Sequence, residues 1–321
     1  MSENLIEVEG LKHYFPIKGG IFSRTVSYIH AVDNISLALK KGKTFGLVGE
    51  SGCGKTTFGR CILMLLDPTE GSIKFNGIDL TELKKGELRK LRAQMSMIFQ
   101  DPYSSLNPRK TVADIVGQPL KIHKIAKGRH KEKMVANLLD KVGLSPDHLY
   151  RYPHEFSGGQ KQRIGIARAI AVNPQFVVAD EPVAALDVSM KVGILNLLKQ
   201  LQEELGLTYL FISHDLSVVK HICDQVAVMY LGKVVEIADT NVIFNRPLHP
   251  YTQALISAIP IPDPTLKRER IILSGSVPTP IDPPPGCRFY PRCWRAKPKC
   301  HKVDPDLVEV GCGHFVACHT S

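Results

Sequence analysis

Residues 44–66 read TFGLVGESGCGKTTFGRCILMLL. A short apolar run, TFGLV, leads into a glycine-rich turn, and the turn leads into a segment with helical apolar spacing. Within it, residues 49–56 (GESGCGKT) match G-x-x-x-x-G-K-[ST] in full, in the strand-to-helix context that the motif requires. Glycines 49, 52 and 54 let the backbone curl so that successive N–H groups face an anion. The helix start adds a favourable dipole. This reading assigns Lys55 to the β- and γ-phosphates of a nucleotide and Thr56 to Mg²⁺. Glu50, Ser51, Cys53 and Thr57 complete the candidate ATP-binding stretch.

The segments around that loop alternate between strand and helix. FVVADE, ending at Asp180 and Glu181, is a buried strand that delivers acids to the carboxyl end of a sheet, where α/β sites lie. Asp180 suits the Mg²⁺ shell, and Glu181 suits a general base for the attacking water. Upstream, residues 4–12 and 29–40 read as strands separated by a turn-like insert, PIKGGIFSR. Residues 71–80 read as a hairpin turning at Asn76-Gly77. A charged helix is expected over 81–94, and the polar helical pattern of 110–150 predicts a helical subdomain, about residues 100–165. Strand–helix alternation across 44–235 predicts an α/β fold with a partly parallel sheet. No guanine-reading N-K-x-D motif accompanies the loop.

Composition bounds the partners. The chain has 321 residues, a formal charge of +10 and 44% apolar residues, which suits a folded protein with anionic partners but does not choose among them. The N-terminus lacks the pattern of a secretory signal, and no apolar window reaches membrane-spanning length. A cytoplasmic location follows as an expectation, and stable disulfides are rare there. Cys53, Cys61 and Cys223 then read as buried small residues. Thirteen of the 22 prolines lie beyond residue 245, and five of the eight cysteines lie in the last 35 residues. That skew separates a core, residues 1–245, from a proline- and cysteine-rich extension, 246–321.

SGGQKQRIGIARAI at 157–170 narrows the field. It resembles the signature of ATP-binding-cassette (ABC) ATPases and stands 23 residues before Asp180, as that family expects. Gln100 in MIFQDP matches the loop glutamine that contacts Mg²⁺ and the attacking water. Ala185-Leu186-Asp187 matches the dimer-contact loop, and His214 in FISHD the switch histidine that senses the γ-phosphate. Tyr14 or Phe15 resembles the aromatic that stacks on adenine. The resemblance implies a P-loop cassette fold with a partly antiparallel β subdomain, a helical subdomain and a small C-terminal extension. It also implies a head-to-tail pair with a second cassette, identical or related. In that pair Ser157, Gly158, Gly159 and Gln160 serve the ATP held by the partner.

GESGCGKT, FQDPYSSLNPR, EFSGGQKQR, ADEPVAALDVS and NRPLHPYTQAL look like cassettes of bacterial or archaeal dipeptide and oligopeptide importers. That likeness implies ATP hydrolysis coupled to import at the cytoplasmic face of the membrane, with two permease subunits and an extracytoplasmic binding protein as partners. Nickel is the alternative cargo. A nucleic-acid- or ribosome-associated cassette is a remoter alternative, since such proteins usually fuse two cassettes or carry coiled-coil insertions. No nucleic-acid partner is expected.

The extension reads PPGCRFYPRCWRAKPKC and then GCGHFVACH. Clustered cysteines in a cytoplasmic chain read first as a metal site. The spacings of five, six, eleven and five residues match neither zinc-ribbon pairs nor common ferredoxin runs. Spacing alone leaves zinc and a [4Fe–4S] cluster even. The importer resemblance implies a [4Fe–4S] cluster on Cys287, Cys293, Cys300 and Cys318, with Cys312 a fifth thiol and His314 and His319 alternates if Zn²⁺ is bound. Arg288, Arg292, Arg295 and Lys299 are expected to offset the cluster's negative charge. A chain poor in apolar residues would draw folding energy from such a site.

Overall fold

The computed structural model describes residues 3–19, 24–260, 270–276 and 278–320. The chain divides into two compact units. One is built mainly from Glu82–Ile212, and the other from Ile6–Ala38, Thr44–Thr81 and Ser213–Ser321. The sheets are of mixed sense, as expected of an α/β cassette.

In the first unit, Met95–Ile98, Phe176–Asp180 and Thr208–Ser213 run parallel, with Met95 opposite Phe176 and Phe176 opposite Thr208. Phe176–Asp180 and Thr208–Ser213 are buried at every position. Continuous apolar runs are what a parallel sheet covered on both faces requires. Between Ile98 and Phe176 no described residue is in a strand. That stretch is helical, as its polar periodicity predicts, with Val112–Ile122, Gly128–Lys141 and Gly158–Ile170 packed on one another. Val116, Leu120, Val135, Leu139 and Ile164 are wholly buried there. The second of these helices ends just before Gly143, which takes φ 72°, a left-handed position open to glycine.

In the second unit, Thr44–Val48 pairs in parallel with Gln225–Tyr230, which forms a hairpin with Lys233–Asp239. Beyond that hairpin the C-terminal extension returns to the sheet. His314–Val316 pairs antiparallel with Lys233–Asp239, Glu236 facing Val316, and Val308–Gly311 closes the far edge. A separate sheet orders Arg24–Lys40, Asn4–Gly19, Glu70–Phe75 and Ile78–Asp79. Its expected hairpin turns at Asn76 (φ 51°) and Gly77 (φ 80°), the paired positive angles of a type I′ turn. The first two strands are longer than the alternation suggested. Extended backbone continues through the expected insert as far as Gly19 and resumes at Arg24, while residues 20–23 lie outside the described residues. Proline shortens the regular elements past residue 245, as anticipated; the longest there among the described residues is the helix Pro250–Ser257.

Candidate nucleotide site and cysteine-rich extension

The loop at 49–56 is built by close backbone approach. Gly54 has φ 106°, and a Cβ there would lie 1.9 Å from the Ala31 carbonyl oxygen. A Cβ on Gly49 would lie 2.1 Å from that of Met229. No other residue fits either position. The helix Lys55–Ile62 follows at once, anchored by buried Phe58, Cys61 and Ile62. Lys55 is 5% exposed, and its Nζ donates to the carbonyls of Gly49 (2.8 Å) and Glu50 (2.9 Å). A buried ammonium needs such partners, and these two hold its charge inside the curl of the loop. Ser51 and Gly52 are exposed, Cys53 is buried, and Thr56 and Thr57 are half-buried.

Tyr14 and Phe15 lie in the strand Asn4–Gly19. The Tyr14 ring stacks on His30 at 4.0 Å between centroids, and its hydroxyl donates to Asp33 at 2.5 Å. Burial and that bond push its pKa well above the usual tyrosine value. Phe15 meets His13 edge-on. His214, in the same unit, is exposed just after the strand Thr208–Ser213.

The two acids that the sequence assigned to Mg²⁺ and to water sit at a strand end in the first unit. Asp180 closes its strand and is 2% exposed. Glu181 takes φ 45°, a left-handed angle that carries its carboxylate out of the strand line. Its Oε2 accepts a 2.8 Å hydrogen bond from Gln100 Nε2, bringing together two residues 81 apart that the sequence assigned to the same water. Ser157 caps the helix Gly158–Ile170. Its Oγ accepts from the Gln160 N–H, and Gln160 Oε1 accepts from the Ser157 N–H, a reciprocal capping box. Asp187 caps Val188–Leu205 by accepting from the Met190 N–H at 2.9 Å. Ser157 and Asp187 are both exposed.

Cys53, Cys61 and Cys223 are buried thiols, as expected. Desolvation lifts all three, Cys61 to about 12. In the extension, Cys300 and Cys318 both help raise the thiols of Cys287 and Cys293, after burial. Each also faces a backbone N–H: Phe289 for Cys287, Arg295 for Cys293, Lys297 for Cys300 at 3.5 Å and Thr320 for Cys318 at 3.4 Å. Burial pushes Cys287 up to about 11. Cys312 is exposed on the turn between the last two strands. Among the described residues, no three His, Cys, Asp or Glu side chains close onto a point where one metal ion fits.

The alternates are engaged elsewhere. His314 Nε2 lies 2.8 Å from the wholly buried Glu236 carboxylate, and His319 Nε2 lies 2.9 Å from the Val303 carbonyl. Glu236 also accepts the N–H groups of Leu248 and His249. Arg288 and Arg292 do not spend their charge on the thiols as expected. Arg288 donates to Asp33 and to the Leu231 carbonyl, and Arg292 forks onto Glu50. Nothing in their spacing signalled these acids, which lie more than 240 residues away.

Comparison with known proteins agrees with this fold and motif set. The ABC transporter profile matches residues 32–184, and the profile of the oligopeptide/dipeptide transporter C-terminal region matches residues 235–300. The chain is 52% identical to the oligopeptide transport ATP-binding protein AppF of Bacillus subtilis, covering 99% of this chain and 98% of that one. It is 48% identical to the dipeptide transport ATP-binding protein DppF of Haemophilus influenzae, covering 98% and 96%. Among solved structures it resembles the dimeric ATP-binding cassette MJ0796 bound to ADP and Pi, with a TM-score of 0.65 and 29% identity over 73% of this chain and 98% of that one. The chain belongs to the ATP-binding subunits of ABC transporters. Its cassette is therefore an ATP-binding ATPase domain, and Mg-ATP is its substrate. Among the described residues no helix is long and apolar enough to cross a membrane.

Proposed function

We propose that this chain hydrolyses Mg-ATP to power the import of dipeptides or oligopeptides through a membrane transporter. The likeness to oligopeptide and dipeptide transport ATP-binding proteins over nearly the whole chain, extension included, carries the reading. In it, the chain sits at the cytoplasmic face of the membrane, pairs head to tail with a second cassette, and drives two permeases fed by an extracytoplasmic binding protein.

The residues take the following roles. The loop Gly49–Thr57 wraps the phosphates, Lys55 holds the β- and γ-phosphates, and Tyr14 or Phe15 stacks on adenine. Tyr14, already fixed on one side by His30, is the better-ordered platform. Thr56, Asp180 and Gln100 would hold Mg²⁺, whose charge would screen the phosphoryl oxygens. Glu181 takes a proton from the attacking water that Gln100 orients, and the phosphoanhydride bond breaks to leave ADP and phosphate. His214 senses the γ-phosphate. Ser157, Gly158, Gly159 and Gln160 offer a helix start and N–H groups to the partner's ATP, and Asp187 lies at the contact between cassettes. A [4Fe–4S] cluster on Cys287, Cys293, Cys300 and Cys318 is part of this reading, in a structural role. The four thiols with an N–H apiece support it.

Uptake tests the cargo. A strain lacking this chain is complemented with the wild type or Glu181→Gln, and labelled oligopeptide and nickel uptake are measured. Peptide uptake is expected to return only with the wild type, with nickel unaffected; restored nickel uptake without peptide uptake would overturn the reading. Iron, sulfide and zinc analysis of anaerobically purified chain tests the extension. About four irons and four sulfides per chain are expected, and a single zinc contradicts it.

A further inference from the structure

Glu50 is an odd residue for its position. It stands directly after Gly49, in a loop whose backbone N–H groups converge to receive a polyanion, and an unopposed carboxylate there repels phosphate. The charge is opposed from the extension. Arg292 is 8% exposed, and its guanidinium forks onto Glu50 with Nη1–Oε2 at 2.8 Å and Nη2–Oε1 at 3.1 Å. Two parallel charge-assisted bonds fix direction as well as charge. Tyr230 shares the site, its hydroxyl 3.4 Å from Nη1. Glu50 is held at two further points, its N–H by the Tyr251 hydroxyl (2.9 Å) and its carbonyl by Lys55.

A second arginine of the same turn repeats the arrangement. Arg288 pairs with Asp33, and Asp33 accepts from the Tyr14 hydroxyl. Each arginine adjoins a cysteine, Cys287-Arg288 and Arg292-Cys293. The turn is tied to its own end by the Cys287 N–H on the Cys300 carbonyl. What shapes the cysteine turn therefore sets where both guanidinium groups lie.

We propose that Arg292 is a positioning residue of the nucleotide site: it neutralises Glu50 and holds the phosphate loop in the form that accepts ATP, so that the extension sets nucleotide affinity. This rests on the loop binding ATP and is independent of the cargo. The step is one of charge, not bulk, which makes it separable from packing. Arg292→Met keeps an unbranched apolar stem, shorter by the guanidinium tip, and leaves Glu50 bare.

The test is ATP and ADP binding to the full-length chain, purified anaerobically, for Arg292→Met, Glu50→Gln and the double variant. Arg292→Met is expected to weaken both nucleotides about tenfold and to raise KM similarly, with kcat falling less than about threefold. Adding Glu50→Gln is expected to bring affinity back to within about threefold of wild type, because the repelling charge has gone. Arg292→Met binding within about twofold of wild type overturns the proposal, as does a double variant no better than Arg292→Met. Should Arg292→Met fail to fold, Arg292→Lys, which keeps the positive charge, decides. Affinity held or improved supports neutralisation, and a loss of about tenfold shows that the pair acts by packing and overturns it.

Discussion

Glu181, the proposed base, is set by a backbone angle that few glutamates adopt, φ 45°, with its N–H on the Ile212 carbonyl at 2.9 Å. The side chain is thereby aimed by the main chain and steadied by Gln100. Glu181→Gln removes the base while preserving shape, so turnover is expected to fall about 10²- to 10⁴-fold with ATP binding retained. ATPase rate and nucleotide affinity measured on one preparation check this; a rate near wild type would mean that Glu181 is not the base. Gly54 poses the opposite case, since its role is the absence of a side chain. Gly54→Ala forces a methyl into the Ala31 carbonyl at an angle L residues avoid. ATP binding should be lost with little or no titration, together with a lower melting temperature. The phosphate loop was legible because phosphate chemistry demands glycines and a lysine at fixed places, and Asp180 and Glu181 were proposed on the acids such chemistry needs; Gln100 entered only through the family resemblance. Glu236, Asp33 and the partners of Arg292 were not, because a buried ion pair leaves no spacing when its members come from opposite ends of the chain.

Elements were readable where one periodicity ruled. Phe176–Asp180 and Thr208–Ser213 announce themselves as apolar runs, and Asn76-Gly77 dictates its turn. The first two strands outran their prediction because alternation weakens before extended backbone ends; PIKG is polar or breaking in type yet stays extended to Gly19. The helix Pro250–Ser257 shows what composition hides. His249 caps it, its Nδ1 accepting the Tyr251 N–H at 3.1 Å, and it is 1% exposed beside Phe289. Burial lowers its pKa from 6.5 to about 3, so it stays neutral in the fold while the unfolded chain takes up a proton. The unfolded state thus binds more protons between pH 6.5 and 3, and stability drains away as pH falls through that window. His249 alone is expected to cost about 2 kcal/mol between pH 7 and pH 5. Asn accepts the same capping bond without titrating, so His249→Asn should flatten that part of the profile in urea melts at the two pH values. Equal slopes for both chains would remove His249 from the account.

As a whole molecule, the chain is proposed to work as one half of a closed pair. Glu181→Gln with Mg-ATP is expected to elute at twice the monomer mass, and with ADP as a monomer; a monomer in both cases counts against pairing by this chain alone. The two-part organisation suggested by composition does not show how the extension is attached. Residues past 245 share a compact unit with the phosphate loop, and their last strand lies in its sheet. Sequence hid this because a three-residue strand, His314–Val316, has too few positions to show a period. That strand has a consequence in time. Lys233–Asp239, rich in Val234, Val235 and Ile237, waits with an unpaired edge until His314–Val316 has been made. A chain cut before that point therefore offers a bare apolar strand to its neighbours. Residues 314–316 act as a seal on synthesis, and a stop codon before residue 314 should yield aggregate rather than a shorter ATPase.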